Sequence, residues 1–247
     1  MAHICIILPT RNAAATLARA IACFDAQDHD DKSLILVDSA STDGTHDLIA
    51  AFAQRPDITW VNKPERGLAH AINLGVAQMP KDAIFGYLGA DDFLEAGVLR
   101  TVSAHFEANP DDIGLFFDSY TARDGRDPVY RTCPAKTFSM ANLLRHRTIA
   151  GMQNTFLRGD VIKANPFDER AAFAMDYELY LRLARQGLGE RIVHSAQAST
   201  TNTDSGTISR THKRASKREA LAWALHYAPP GRDRRQAWWK YLKYRFV

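Results

Sequence analysis

Four apolar runs, each followed by an amphipathic stretch, fill the first hundred residues and leave few folds open to this chain. His3 to Leu8, Ser33 to Val37, Ile58 to Val61 and Ala83 to Leu88 read as buried strands. Between them, Ala13 to Gln27 reads as a helix with Leu17, Ala20, Ile21 and Phe24 on one face. A second helix runs from the turn and cap residues Ser41-Thr42-Asp43-Gly44-Thr45 to about Gln54. A third follows Gly67 and ends near Met79-Pro80, and a fourth covers about Glu95 to Ala108. Repeated strand–helix units imply a parallel sheet with right-handed crossovers. The expected fold class is α/β, a mostly parallel sheet flanked by helices, Rossmann-like in its first half. No GxGxxG or GxxxxGK is present, so the dinucleotide and P-loop readings lose their main support.

Beyond Pro110 the pattern changes. Ile113 to Tyr120 looks like a strand, Arg123-Asp124-Gly125-Arg126 a hairpin-type turn, and Pro128 to Thr132 its return strand. Ser139 to His146 is a short helix, Asp176 to Gln186 a helix ended by Gly187, and Arg191 to His194 a short strand. Residues 200–209 are polar and read as a loop. Two basic helical stretches follow, about Lys213–Tyr227 and Arg234–Phe246, split by Pro229-Pro230-Gly231.

Composition excludes several classes. At 247 residues the chain is one large domain or two small ones. No apolar run approaches the ~20 residues that span a bilayer, and Met1-Ala2-His3-Ile4 lacks the features of a signal peptide. Cys5, Cys23 and Cys133 are odd in number and form no CxxC, which speaks against a disulfide framework or zinc site and for a reducing cytosol. The net charge of +3 hides an asymmetry: residues 207–247 carry +9 and residues 1–206 carry −6. An acidic body with a basic tail points to a separate partner for the tail.

The chemistry concentrates at strand ends. In an open parallel sheet such positions share one crevice. Pro9-Thr10-Arg11-Asn12 sits where the first strand turns into the first helix, a place suited to a nucleotide or anion, or to an ordinary capped turn. Asp38 closes the second strand; Asp43 or Thr42 is better placed to cap the next helix, which leaves Asp38 for a base or ribose. Gly89-Ala90-Asp91-Asp92 follows the fourth strand, and two exposed adjacent carboxylates are costly unless a cation such as Mg²⁺ or Mn²⁺ compensates. Asp176 opens a helix whose dipole favours it, and it also suits a general base for an acceptor hydroxyl. Glu178 points elsewhere on that helix. Gln153-Asn154-Thr155 offers neutral polar groups to sugar hydroxyls, or simply ends a strand. The nine histidines show no HxxxH or HExxH spacing.

Five segments in this order resemble the inverting family 2 glycosyltransferases of the nucleotide-sugar-binding GT-A fold. They are Ile6-Ile7-Leu8-Pro9-Thr10-Arg11-Asn12, Val37-Asp38-Ser39-Ala40-Ser41-Thr42-Asp43-Gly44-Thr45, Gly67-Leu68-Ala69-His70-Ala71-Ile72-Asn73-Leu74-Gly75, Tyr87-Leu88-Gly89-Ala90-Asp91-Asp92 and Met175-Asp176-Tyr177-Glu178-Leu179-Tyr180-Leu181-Arg182. The resemblance spans roughly residues 3–209. It implies a catalytic domain over 1–209, with a donor half to about 108, an acceptor half over 109–209, and a basic aromatic helical tail over 210–247. It implies that Pro9, Thr10, Arg11, Asn12, Asp38, Ser39 and Asp91 line the nucleotide, that Asp92 binds Mn²⁺ or Mg²⁺, that Gln153 and Asn154 face the sugars, and that Asp176 is the base. Ala90 stands where some members have a first acidic residue, His70 and Leu74 replace residues often acidic and basic, and Met152 precedes Gln153 where many have His.

The implied reaction is an in-line displacement that moves a sugar from a nucleoside-diphosphate sugar, a UDP-sugar favoured, to the hydroxyl of a glycan or lipid-linked acceptor. Trp223, Trp238, Trp239, Tyr241, Tyr244 and Phe246 among the tail's cations fit an anionic membrane surface, or packing onto the body. A cytoplasmic protein peripheral to the inner face of the cell membrane, with no nucleic-acid partner, is the expectation. Two other readings are a sugar-1-phosphate nucleotidylyltransferase, disfavoured by the lack of glycine in Pro9-Thr10-Arg11-Asn12-Ala13, and a non-catalytic scaffold of the same fold.

Overall fold

The computed structural model describes residues 1–63, 66–123, 126–203, 212–231, 234, 235 and 238. Strands β1 (Ile4–Thr10), β2 (Lys32–Asp38), β3 (Ile58–Asn62) and β4 (Ile84–Tyr87) pair in parallel in the order β3-β2-β1-β4. Helices α1 (Leu17–Asp25), α2 (Thr45–Phe52) and α3 (Leu68–Gln78) follow the first three strands, and α4 (Val98–Ala108) follows the fourth after a two-residue strand, β5 (Phe93–Leu94). The side chains of β1 and β2 alternate between two cores. Ile4, Ile6, Leu8, Leu34 and Leu36 meet Leu17, Phe24, Leu99 and Phe106; Cys5, Ile7, Ile35 and Val37 meet Ile72 and Val76 on the opposite face. Burial on both faces is why these strands read as unbroken apolar runs.

The close approach of α3 to the sheet depends on Gly75. A Cβ there would stand 2.6 Å from the Ile7 Cγ2 and 3.3 Å from a Val37 methyl.

The sheet then changes sense. β8 (Thr155–Arg158) runs antiparallel to β4, and beyond it lie β6 (Gly114–Arg123), β9 (Ile192–Thr203) and β5. β7 (Arg126–Arg131) pairs with β6 as the expected hairpin; its turn residues Asp124 and Gly125 fall outside the described residues. Helices α5 (Met140–His146), α6 (Gly159–Ala164) and α7 (Met175–Arg185) contribute to the core that includes Cys5 and Ile7. Ser139 caps α5 by accepting from the Asn142 N–H, and Gly187 leaves α7 at a φ of +79°.

One expectation is overturned here. The polar segment from residue 200 onward is strand as far as Thr203, because β9 continues well past His194. The register of β9 on β6 shifts between Phe117 and Asp118, which places Ala196 and Gln197 in a bulge. That bulge breaks the alternation by which a strand is recognised. Ser199 and Thr200 are fully buried, and their hydroxyls donate to Asn154 Oδ1.

Helix α8 (Lys213–Tyr227) matches the first basic stretch. Ala220, Leu221 and Ala224 are buried, and Trp223 and Tyr227 pack at the edge of the core. Most of the second basic stretch, Arg234–Phe246, lies outside the described residues.

Candidate active site

The loops after β1 and β2 are joined through polar side chains. Asn12 adopts a left-handed φ of 51°, accepts at Oδ1 from the Thr42 N–H, and donates its own N–H to Ser41 Oγ. The Ala13 and Ala14 N–H groups donate to Thr45 Oγ1 and Asp43 Oδ2. Asp43 also accepts from the Thr45 N–H and hydroxyl, but the N-cap position of α2 falls to Gly44, at a φ of +92°, and neither Thr42 nor Asp43 occupies it as expected.

Asp38 is thereby left for another task. Its side chain is fully buried at the carboxyl end of β2. Oδ1 accepts from Ser41 Oγ at 2.5 Å. Oδ2 has no hydrogen-bond partner; His46 Nδ1 stands 3.6 Å away, beyond hydrogen-bond reach. An orphaned buried carboxylate oxygen at the carboxyl end of a parallel strand is an acceptor left unsatisfied within the described residues. His46 stands edge-on to the Trp60 ring, with centroids 4.6 Å apart.

Beside it lies a cleft of 350 Å³ whose walls include Pro9, Thr10, Arg11, Ser39, Arg66 and Gly67. The sequence reading identified the first four of these. It quoted Gly67 as part of a segment, and the structure gives it a specific use: a φ of +108° at the start of α3. Arg66 carried no signal. Thr10 is buried and donates to the Val37 carbonyl, so it shapes the wall through the sheet.

Asp91 and Asp92 follow β4, Asp91 exposed and Asp92 nearly buried. The Asp92 N–H donates to the Gly89 carbonyl, closing a turn. A Cβ at Gly89 would stand 2.7 Å from Asp92 Oδ2 and 3.2 Å from Asp91 Oδ1, so both carboxylates fold over a space that only glycine leaves open. Such a cradle fits Mg²⁺ or Mn²⁺, ions held by one or two carboxylates with substrate phosphates and water completing the shell.

Asp176 lies in the first turn of α7, its Oδ1 accepting from the Tyr177 N–H at 2.7 Å. Burial, assisted by the negative charge of Glu219, pushes its carboxyl up to about 6. Tyr87, at the end of β4, ties it to the other acids. Its hydroxyl is held far above the ordinary phenol range by burial and by the charges of Asp92, Asp91 and Asp176 together. The charges of all three acids are therefore felt at this one position at the end of β4.

Asp176 lines a second cleft, of 540 Å³, with Gln153, His146, Arg147, Lys213 and Lys217. The segment from Glu169 to Ala174 walls both clefts, with Ala172 on the first and Phe173 on the second. Gln153 lines this cleft. Asn154 does not line it: it is buried and its Oδ1 serves β9. Glu178 is also buried and bonds to Arg182 and the Tyr227 hydroxyl, away from Asp176 as expected.

Glu219 is the residue sequence reasoning missed most completely. From α8 it accepts the N–H groups of Ala172, Phe173 and Ala174, the three residues that lead into α7. A lone glutamate in a basic stretch carries no sequence signal for this.

Among the described residues, one group of three side chains has metal-ligand chemistry, Asp118, Cys133 and His194, with ligand atoms within 4.8 Å of one another. Each is already bonded internally. Asp118 Oδ1 accepts from His194 Nε2 and the Cys133 N–H, and Oδ2 from the Tyr130 hydroxyl. Burial and the neighbouring Asp118 push the Cys133 thiol up to about 12.

Residues 5–163 match the profile described as Glycosyl transferase family 2. A PGL/p-HBAD biosynthesis glycosyltransferase of Mycobacterium bovis is 30% identical over 199 residues, covering 78% of this chain and 75% of its own. Among solved structures, S. aureus TarS in complex with UDP superposes with a TM-score of 0.70 at 15% identity, over 98% of this chain and 70% of that one. The mannosyltransferase PcManGT from Pyrobaculum calidifontis, in complex with GDP-Man and Mn²⁺, gives 0.69 at 19% identity, over 99% and 73%.

Proposed function

The chain belongs to glycosyl transferase family 2 and is a glycosyltransferase, and we propose that it moves a sugar from a nucleoside-diphosphate donor to an acceptor hydroxyl with inversion, Asp176 acting as the base. The observation that carries this reading is that Asp91 and Asp92 fold over the Gly89 turn after β4 while Asp176 lines a cleft that shares the wall segment from Glu169 to Ala174 with the cleft beside Thr10. The cleft beside Thr10 takes the nucleoside, with Asp38 Oδ2 accepting from base or ribose. Asp92 would hold Mn²⁺ or Mg²⁺, which when bound offsets charge on the departing diphosphate, and Asp91 beside it would face the nucleotide. Asp176, ionised above about pH 6, removes the proton of the attacking hydroxyl. Gln153 orients the sugars from the cleft wall.

In this reading residues 1–108 form the donor half and 109–209 the acceptor half. A UDP-sugar is the favoured donor; neighbours of the same fold were solved with UDP and with GDP-Man. The acceptor is a glycan or lipid-linked precursor, taken up at the inner face of the cell membrane, where the basic tail docks. Arg214 and Arg218 are exposed on α8 for that contact. Among the described residues, no helix is long and apolar enough to cross a membrane.

The test is donor turnover. Incubation with a panel of nucleotide sugars and Mn²⁺ releases nucleoside diphosphate from one of them, and Asp176→Asn slows release about 10²-fold or more. Equal release by the variant contradicts the role of Asp176.

A further inference from the structure

The cleft that holds Asp176 carries more positive charge than the reaction itself asks for. Arg147 follows α5, and Lys213 and Lys217 stand one turn apart on α8; with His146 they share the cleft with a single acid, Asp176. The Asp176 carboxyl itself is set by burial, the Tyr177 N–H and the charge of Glu219. Among the described residues, Arg147 is also one of three non-glycine residues with positive φ, at 65°, and the other two, Asn12 and Ala40, lie in the loops after β1 and β2. Non-glycine residues in this region persist where the surrounding structure requires them.

The nucleotide cleft is elsewhere. Its walls come from the loops after β1 and β2 and from the start of α3, and it shares none of these cations. Fixed positive charge around a hydroxyl-activating base selects an acceptor that is itself anionic close to the reacting hydroxyl.

We propose that Arg147, Lys213 and Lys217 form an anion subsite beside Asp176, and that the acceptor carries a phosphate or carboxylate group within reach of its reacting hydroxyl. This rests on the reading of the Asp176 cleft as the acceptor site. A sugar phosphate and a uronic acid both present the required chemistry; a neutral glycan does not.

The experiment titrates glucose 1-phosphate, glucuronate and methyl glucoside into the full chain and into Lys213→Gln/Lys217→Gln, with UDP and GDP plus Mn²⁺ titrated in parallel. Lys213 is exposed and Lys217 half-buried, so the exchange leaves the core intact. The expected result is binding of the anionic sugars over the neutral one, weakened at least about fivefold in the double variant and by added salt, with nucleotide binding unchanged. Binding of both anionic sugars means that the subsite reads charge; binding of glucose 1-phosphate alone assigns it to phosphate. Equal binding of methyl glucoside, unchanged affinity in the variant, or displacement of glucose 1-phosphate by UDP or GDP overturns the proposal, the last because it puts the anion in the nucleotide cleft. Failure of the wild type to bind either nucleotide while the anionic sugars still bind overturns the donor assignment and leaves this subsite standing.

Discussion

Asp38, Asp92 and Asp176 take their properties from what surrounds them more than from being acids. Asp38 has one oxygen satisfied and one orphaned in a fully buried position, an arrangement that holds a place for a donor group from outside. Asp38→Asn keeps the shape and removes the charge; nucleotide affinity is expected to fall by about 1.5–3 kcal/mol, as for a hydrogen bond to a charged group, in a binding titration. Asp176 is raised by burial, so its base form is lost as pH falls through about 6. The rate of transfer is expected to rise with pH through that value and then level, and a profile flat from pH 5 to 8 would contradict the assignment. Gly89 makes a third case. Gly89→Ala puts a methyl where the Asp92 and Asp91 carboxylates fold back, so Mn²⁺-dependent nucleotide binding weakens while circular dichroism stays unchanged. All three aspartates were legible because each sits at the end of an apolar run or the start of a helix. Arg147 and Glu219 were not, since their places depend on chain segments that meet only in the fold.

Helix α8 illustrates the limits of reading elements from sequence. Its span was legible from composition and helical pattern, whereas its face was not: Glu219, Trp223 and Tyr227 turn toward the body, and Glu219 alone accepts the N–H groups of residues 172–174. Glu219→Gln weakens that brace and removes a negative charge that raises Asp176. The expected outcome is a loss of about 1–3 kcal/mol in stability together with an acid limb moved to lower pH; a merely structural residue would shift only the melting curve. Strand β9 shows the converse. It was cut short in the sequence because the bulge opposite Asp118 breaks its period and because its buried polar residues, Ser199 and Thr200, are matched to Asn154 in a way no local pattern reveals. The same bulge brings His194 to Asp118, both nearly buried. Burial opposes ionisation of Asp118, yet the Cys133 N–H, His194 and the Tyr130 hydroxyl hold it below the ordinary carboxylate range. Its folded value lies below its unfolded one, so its contribution is full above the ordinary range and is lost as pH falls through the folded value. Asp118→Asn is expected to lower stability at neutral pH and to flatten that acid dependence in urea melts at pH 3 to 7.

At the scale of the whole molecule, one sheet changes sense at β8, and the clefts lie on either side of the segment from Glu169 to Ala174. The parallel half was legible because two-sided burial writes itself as apolar runs; in the mixed half the β6–β7 hairpin was legible from its turn, whereas β5 and β8 were not, being too short to show a period. Removal of residues 210–247 takes away Ala220, Leu221 and Ala224 from a core they complete, so a truncated chain is expected to melt lower and aggregate, beyond any loss of binding to anionic vesicles. The central claim is that Asp92, just beyond β4, holds a metal for a nucleotide bound beside Asp38. Calorimetric titration of UDP, GDP, dTDP and CDP, with Mn²⁺ or with EDTA, into the wild type and Asp92→Ala tests it most directly. The account predicts one nucleotide that binds with Mn²⁺, weakly with EDTA, and weakly to the variant under both conditions. Folded wild-type protein that binds none of the four, or binds one equally well with EDTA and after Asp92→Ala, would contradict it.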